Sequence, residues 1–302
     1  MIKIAHHPIY KYPLPEGHRF PMDKYDLVPQ QLIYEGIFSE ENFFKPGKVN
    51  LDAVLAVHNK EYVNHLLNQT LDKRAARKIG YPFSPLLVER ELTIIQGTIE
   101  SAEFALKYGV SGNMGGGTHH AYSGHGEGFC MLNDQAVAAK FLLHNYNDSI
   151  RKILIVDLDV HQGNGTAEIF QNEKAVFTFS MHGQKNYPFK KEESDLDIGL
   201  PTETGDIEYL QKLKSILPEL IESQKPDFIF YVAGVDILET DKLGHLNCTL
   251  EGCKERDRHV IELCKTYGIP LQIGTGGGYS PQIKTIVEAH ANTFRLVEDI
   301  FF

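Results

Sequence analysis

Short apolar runs that alternate with helical patterns constrain the fold of this chain more than any other sequence feature. The clearest run is Lys152–Asp159, where Ile, Leu and Val precede two aspartates. A β-branched run this short is typical of a strand buried on both faces of a parallel sheet. Similar runs occur at 175–180, 227–233 and 270–273. Helical spacing of apolar residues predicts helices over 91–107, 207–221 and 252–267, and a last helix that begins at Ser280–Pro281.

Strand–helix alternation of this kind predicts an α/β fold, with a parallel sheet covered by helices on both faces. The first 90 residues differ, because eight prolines between Pro8 and Pro85 interrupt regular structure and predict short helices and loops. No internal repeat, low-complexity tract or Gly/Ser linker divides the chain. Residues 1–302 are therefore predicted to form a single domain.

Charge and composition exclude several functional classes. The chain has 30 Lys and Arg against 40 Asp and Glu, a net charge of −10, and no long basic run, so direct nucleic-acid binding through a basic face is not expected. No segment approaches the ~20 apolar residues of a membrane span, and the N-terminus does not resemble a signal peptide. The four cysteines form no C-x-x-C pair. These features predict a cytoplasmic protein, and they leave its oligomeric state open.

Ligands bind to parallel sheets beyond the carboxyl ends of the strands, so the residues at those ends are candidates for chemistry. Asp159 and His161 follow the first long strand, and on an extended backbone their side chains leave the same face. Asp236 stands in the equivalent place after the 227–233 strand. Two carboxylates and one imidazole leave one position open, as in catalytic zinc sites. Any one of these residues alone fits a helix cap or a buried polar group, but the set fits such structural roles poorly.

Two glycine-rich segments supply further candidates. Gly115–Gly117 precedes His119 and His120, and imidazoles exchange protons near neutral pH. The 274–278 segment ends at Tyr279, whose phenol suits a developing oxyanion. No Lys-Ser/Thr follows the glycines, which argues against a Walker-type phosphate loop. A histidine pair alone is weak evidence, as the second pair, His6–His7, illustrates.

Five segments together resemble the signature series of the histone deacetylase family, in the family's order. They are GGGTHHA (115–121), GFCMLND (128–134), VDLDVHQGNG (156–165), AGVD (233–236) and GGGY (276–279). Among the branches of this family, class IV is the most similar to this chain. The similarity rests on Gln162 and Asn164, on the Asp-Ile-Leu-Glu segment that starts at Asp236, and on Asn186–Tyr187–Pro188.

The resemblance implies the arginase–deacetylase fold, with a central, mostly parallel eight-stranded sheet and helices on both faces. It also implies a zinc-dependent hydrolase that removes acyl groups from the ε-amino group of lysine in proteins. The implied metal ligands are Asp159, His161 and Asp236, with iron as an alternative ion. The implied catalytic residues are His119, His120, Tyr279, Asp157 and Asn164. The implied substrate-binding residues are Gly128, Phe129, Tyr187, Leu243 and Gly277. A structural potassium ion is expected near Asp157, Asp159, His161, Ser180 and Met181.

Several alternatives remain open at this point. The class IV resemblance favours long acyl chains over acetyl, and polyamines or other small acylated amines could be substrates of the same site. A two-manganese ureohydrolase is disfavoured, because Gln162 and Asn164 cannot supply the extra carboxylates. A module that binds acyl-lysine without cleaving it is disfavoured, because the whole catalytic set is present. Asn164 stands where other branches have Asp, which leaves the division of base and acid between His119 and His120 open.

Overall fold

The computed structural model describes all 302 residues, and its centre is one eight-stranded sheet. Every neighbouring pair of strands is parallel, in the order β2-β1-β3-β8-β7-β4-β5-β6. The strands are β1 Ile4–Ala5, β2 Phe43–Phe44, β3 Val110–Asn113, β4 Ile153–Asp157, β5 Val176–Gly183, β6 Leu196–Leu200, β7 Phe228–Val232 and β8 Leu271–Gly274. The four predicted strands are confirmed as β4, β5, β7 and β8, and the predicted α/β fold is confirmed with them.

Ten α-helices surround the sheet. They are α1 Lys24–Tyr34, α2 Leu51–Leu55, α3 Lys60–Leu67, α4 Lys73–Ile79, α5 Pro85–Tyr108, α6 Asp134–Asn145, α7 Asn164–Phe170, α8 Asp206–Gln224, α9 Leu250–Tyr267 and α10 Ile283–Phe301. They form two packed groups: α5 contacts α6 and α3, whereas α10 contacts α1 and α9, and α9 also contacts α8. None of them is long and apolar enough to span a bilayer.

The first residue of the last helix differs from the prediction. The Ser280–Pro281 pair does not begin α10, which starts at Ile283 with Gln282 at its N-cap. The hydroxyl of Ser280 lies 2.7 Å from that of Thr240 instead, so it is not available to cap the helix. The N-terminal prolines do produce the predicted short elements, and the four helices before Pro85 have between 5 and 11 residues.

The strand order brings four sequence motifs to one edge of the sheet. Strands β3, β8, β7 and β4 are successive neighbours, and all point the same way. The segments that leave their carboxyl ends therefore meet, although they are widely separated in the chain. These segments carry His119–His120 after β3, Tyr279 after β8, Asp236 after β7, and Asp159 with His161 after β4.

Candidate active site

Asp159, His161 and Asp236 form the centre of the site. All three are buried, and one potential ligand atom from each lies within 4.8 Å of the others. His161 Nδ1 is 3.0 Å from Asp159 Oδ1 and 3.1 Å from Asp236 Oδ2. The other oxygen of each carboxylate is held by the backbone: Gly277 N–H donates to Asp159 Oδ2 and Val160 N–H to Asp236 Oδ1. Each carboxylate is thus oriented with one oxygen toward the imidazole.

The electrostatics of this cluster fit a divalent cation. Burial and the negative charge of Asp159 raise the pKa of Asp236, since two carboxylates close together in a dry site resist double ionisation. Burial opposes the charged form of His161, but the two carboxylates outweigh it and raise its pKa to about 10. Two oxygen donors and one nitrogen donor form a set that zinc and iron both accept. The residues therefore fit one metal ion.

Arg256 joins the two strand ends that carry these ligands. This buried residue of α9 donates from Nη1 to two backbone carbonyls. They belong to Leu158, which precedes Asp159, and to Gly234, two residues before Asp236. Its charge is balanced by Asp257, whose Oδ1 accepts from Nε at 2.8 Å. The guanidinium thus links the two segments that leave β4 and β7 and carry Asp159 and Asp236. Sequence reasoning did not find it, because nothing in the helix pattern distinguishes a buried arginine.

His119 and His120 are both buried, with ring centroids 4.1 Å apart, but their partners differ in charge. His119 Nδ1 lies 2.6 Å from Asp157 Oδ2, and His120 Nδ1 lies 2.6 Å from Asn164 Oδ1. Burial opposes the charge on His119, but the Asp157 and Asp159 carboxylates outweigh it and raise its pKa to about 9. Burial, with the positive charges of His119 and His161, holds the pKa of His120 well below its usual range.

Glu127 determines how Asn164 is oriented, and sequence reasoning missed it. Asn164 Nδ2 donates to Glu127 Oε1 at 2.7 Å and to the Tyr122 hydroxyl at 3.0 Å. A carboxylate only accepts, so the Asn164 amide must face Glu127 with its nitrogen and His120 with its oxygen. His120 Nδ1 must then carry the proton, which leaves Nε2 as the basic nitrogen. The tautomer of His120 is thus fixed through two side chains.

The charge of Glu127 is itself stabilised by its neighbours. Burial alone raises its pKa, but hydrogen bonds from His125, Tyr187 and Asn164 outweigh burial and lower the pKa to about 2. The Tyr187 hydroxyl donates to the same oxygen as Asn164. One carboxylate thus holds both the His120–Asn164 pair and Tyr187.

The predicted pocket residues surround a cavity of about 390 Å³ that opens to solvent. Phe129, Tyr187, Tyr279 and Leu243 line it together with Gly128, His120 and His161. Gly128 and Phe129 both adopt positive φ, and their N–H groups donate to the carbonyls of Lys78 and Ile79 at the end of α4. A Cβ at Gly128 would lie 2.7 Å from His120, so only glycine allows this approach.

Asp241 connects the Tyr279 loop with the Leu243 loop. Its carboxylate accepts from the backbone N–H of Tyr279 at 2.6 Å, and from those of Leu243 and Gly244. The backbone of Tyr279 is therefore held, and its ring lies 6.4 Å from that of His161. An inner cavity of about 30 Å³ is lined by Tyr279 and His161 together with Tyr25, Arg90 and Cys130. A wider groove of about 570 Å³ along α5 lies away from the Asp–His–Asp cluster.

The structure places the remaining predicted residues close to this centre. Gly277 lies against the metal-ligand candidates, and its N–H donates to Asp159. Asp157 and Ser180 pair across β4 and β5, and Met181 is buried beside them. The Ser180 hydroxyl is 2.9 Å from His182 Nδ1. The pair His6–His7 lies elsewhere and has a structural contact: His7 Nδ1 accepts from Ile9 N–H.

Comparison with known proteins identifies the family. The histone deacetylase domain model matches residues 18–294. The chain belongs to the histone deacetylase family. It is 43% identical to an uncharacterized protein of Picosynechococcus over 298 residues, 99% of each chain. It is 30% identical to histone deacetylase 2 of Arabidopsis thaliana, over 87% of this chain and 70% of the relative. The crystal structure of a deacetylase homologue from Aquifex aeolicus matches with a TM-score of 0.84 and 25% identity, over 98% of this chain and 84% of the homologue.

Proposed function

We propose that this protein is a metal-dependent hydrolase that removes acyl groups from the ε-amino group of lysine. The observation that carries the proposal is the convergence of the Asp–His–Asp cluster, two histidines and Tyr279 around the inner cavity. Zinc is the proposed ion, with iron as the alternative for the same donors. When bound, the ion would polarise the scissile carbonyl and acidify a water molecule. We propose that residues 1–302 act as one catalytic unit.

The protein's own residues supply the proton transfers. His120 would accept the proton of the attacking water at Nε2, because Asn164 holds the proton of the neutral ring on Nδ1. Asn164 is neutral and leaves His120 uncharged, whereas the Asp157 carboxylate favours the protonated form of His119. His119 is therefore the proposed acid that protonates the lysine amine as the C–N bond breaks. This division follows from the two hydrogen-bond partners.

The Tyr279 hydroxyl would donate a hydrogen bond to the oxyanion of the tetrahedral intermediate. Asp241 holds its backbone and leaves the ring beside His161. Phe129 and Tyr187 would flank the lysine side chain as tunnel walls, and Leu243 would contact it at the rim. The carbonyl of Gly128 would accept from the substrate amide.

The inner cavity favours a short acyl group. Its volume of about 30 Å³ leaves little room beside His120 and Tyr279, so a fatty chain would enter only with movement of lining residues such as Tyr25 or Arg90. This argues against the long-chain preference that the class IV resemblance predicts. Membership of that branch stays a proposal that rests on Gln162, Asn164 and Asn186–Pro188. A potassium ion near Asp157 and Ser180 and a cytoplasmic location are likewise proposed from the sequence.

The test measures turnover of an acetyl-lysine peptide by the zinc-loaded protein. It is compared with turnover of a myristoyl-lysine peptide of the same sequence and of an acetylated polyamine. We expect release of acetate from the acetyl-lysine peptide and one bound metal ion for each chain. Turnover of the polyamine alone would replace the proposal with small-amine deacetylation. Two metal ions for each chain, or no hydrolysis of any acylated amine, would overturn it.

A further inference from the structure

The rim of the open cavity is strongly basic although the chain as a whole is acidic. Four fixed cations line it: Arg19, Arg77, Lys78 and Lys185. No carboxylate is among the residues that line this cavity, and the whole chain has a net charge of −10. All four side chains are exposed, and none of them forms an ion pair within the protein. Cations are thus concentrated where a substrate enters.

These cations are attached to structured parts of the mouth. Arg77 and Lys78 occupy the last turn of α4, where the carbonyl of Lys78 accepts from Gly128 N–H at 3.1 Å. The Arg19 guanidinium lies 5.1 Å from the centre of the Phe129 ring. Lys185 lies on the segment that leads to Tyr187. The ammonium group of Lys191 donates to the carbonyls of Asn186 and Pro188 in this segment. The backbone that carries these positive charges is therefore held beside the tunnel walls.

Four like charges around one opening attract anionic groups and repel cationic ones. Charged clefts raise the association rates of complementary partners by 10–10³-fold, and the effect falls with salt because the Debye length is about 10 Å at 0.1 M. Within the proposed orientation, the acyl group lies deep in the cavity beside His120, and the groups that flank the acylated lysine face the rim. The rim charges therefore act on the flanking residues and not on the acyl group.

We infer that the preferred substrate is an acyl-lysine flanked by acidic residues in a peptide or protein segment. The inference rests on the proposed function and names its substrate class. Acidic side chains on either side of the lysine would pair with Arg77, Lys78 and Lys185 at the mouth. A lysine in an arginine- and lysine-rich segment meets four unpaired cations and is disfavoured. An acetylated polyamine, which carries further ammonium groups, is disfavoured for the same reason.

The test compares three acetyl-lysine peptides that differ only in their flanks, with glutamate, glutamine or lysine on both sides of the acetyl-lysine. We expect kcat/KM for the acidic peptide to exceed that for the basic one by at least about tenfold at low ionic strength. The ratio should fall toward one as salt shortens the screening length. The difference should lie mainly in KM, because rim charges alter the encounter and not the bond-breaking step.

Charge-reversal variants assign the effect to the rim. R77E/K78E should reduce the acidic-to-basic ratio by about tenfold or more, and K185E, on a separate loop, should reduce it several-fold without altering α4. The matched control is K174E/K214E, which makes the same change in net charge at two exposed residues that do not line the cavity. The acidic-to-basic ratio of kcat/KM in this control should equal that of the wild type.

The outcomes separate this inference from the proposed function. Hydrolysis of the glutamine-flanked peptide with equal rates for the acidic and basic peptides would overturn the substrate preference and leave the deacylase intact. An equal loss of preference in the control would attribute the effect to net charge, which also overturns the rim inference. No hydrolysis of any of the three peptides would instead overturn the proposed function.

Discussion

Substitution of Asn164 by Asp tests how the charge around His120 is arranged. Asn and Asp are nearly equal in size, so the substitution changes the charge and leaves the volume almost unchanged. In this chain, however, Asn164 Nδ2 lies 2.7 Å from Glu127 Oε1. Asn164→Asp replaces that donor with a second carboxylate oxygen. The side chain of Glu127 is only 13% exposed, so water relieves little of the repulsion.

The expected cost follows from the distance. Two unit charges 2.7 Å apart repel by about 6 kcal/mol at an effective dielectric constant of about 20. Relaxation, or protonation of one carboxyl group, reduces this value, but a hydrogen bond to a charged group, worth about 1.5–3 kcal/mol, is lost in either case. We therefore expect Asn164→Asp to lower the free energy of unfolding by about 2–4 kcal/mol. Glu127→Gln should remove most of the repulsion in the double variant.

The assay is a double-mutant cycle on urea unfolding and on kcat/KM. The coupling energy between positions 127 and 164 should reach the upper part of the 0.5–3 kcal/mol range found for contacting residues. In the double variant the new carboxylate lies beside His120 and raises the pKa of this base. The acidic limb of kcat/KM should therefore move to higher pH, since the base must be unprotonated to act. Additive effects of the two substitutions, or an acidic limb that does not move, would refute the proposed connection from Glu127 through Asn164 to His120.

Four further predictions follow from the same structure. Asp236→Asn should abolish most activity and reduce the metal content of the purified protein, because a neutral amide is a weaker ligand than a carboxylate; full metal content with full turnover would contradict the site. Tyr279→Phe should lower kcat about 10²–10³-fold with little change in stability, measured by steady-state kinetics beside thermal unfolding; wild-type kcat would mean that another donor stabilises the oxyanion. His120→Ala should remove nearly all turnover, whereas His7→Ala, at the structural pair, should retain it. Burial lowers the pKa of His58 to about 4, so the unfolded chain binds the extra proton and stability is lost as pH falls below 6.5. Between pH 7 and pH 5 this amounts to about 2 kcal/mol, and urea unfolding of a His58→Gln variant should show a correspondingly smaller loss.

The α/β alternation and the positions of the candidate catalytic and metal-binding residues follow from the amino-acid sequence alone. Strands β4 and β7 are almost continuous apolar runs, β5 and β8 are largely apolar, and such runs are visible without knowledge of their neighbours. Asp159, His161 and Asp236 could be proposed because each follows such a strand, and parallel strands end at one edge. The strands β1 and β2, by contrast, have two residues each, which is too short to show any period.

The surroundings of those residues depend on the tertiary fold. Glu127 lies 37 residues from Asn164 in the chain, and Arg256 lies 98 residues from the Leu158 carbonyl that it binds. Side chains that meet across such separations leave no local pattern, so neither the tautomer of His120 nor the Arg256 link between the ligand segments could be read from the sequence. The basic rim is hidden in the same way, because Arg19, Arg77 and Lys185 are ordinary surface residues until the fold places them around one opening. Local periodicity determines which segments form helices and strands. The charge and geometry of a site depend instead on which of these elements the order of the sheet brings together.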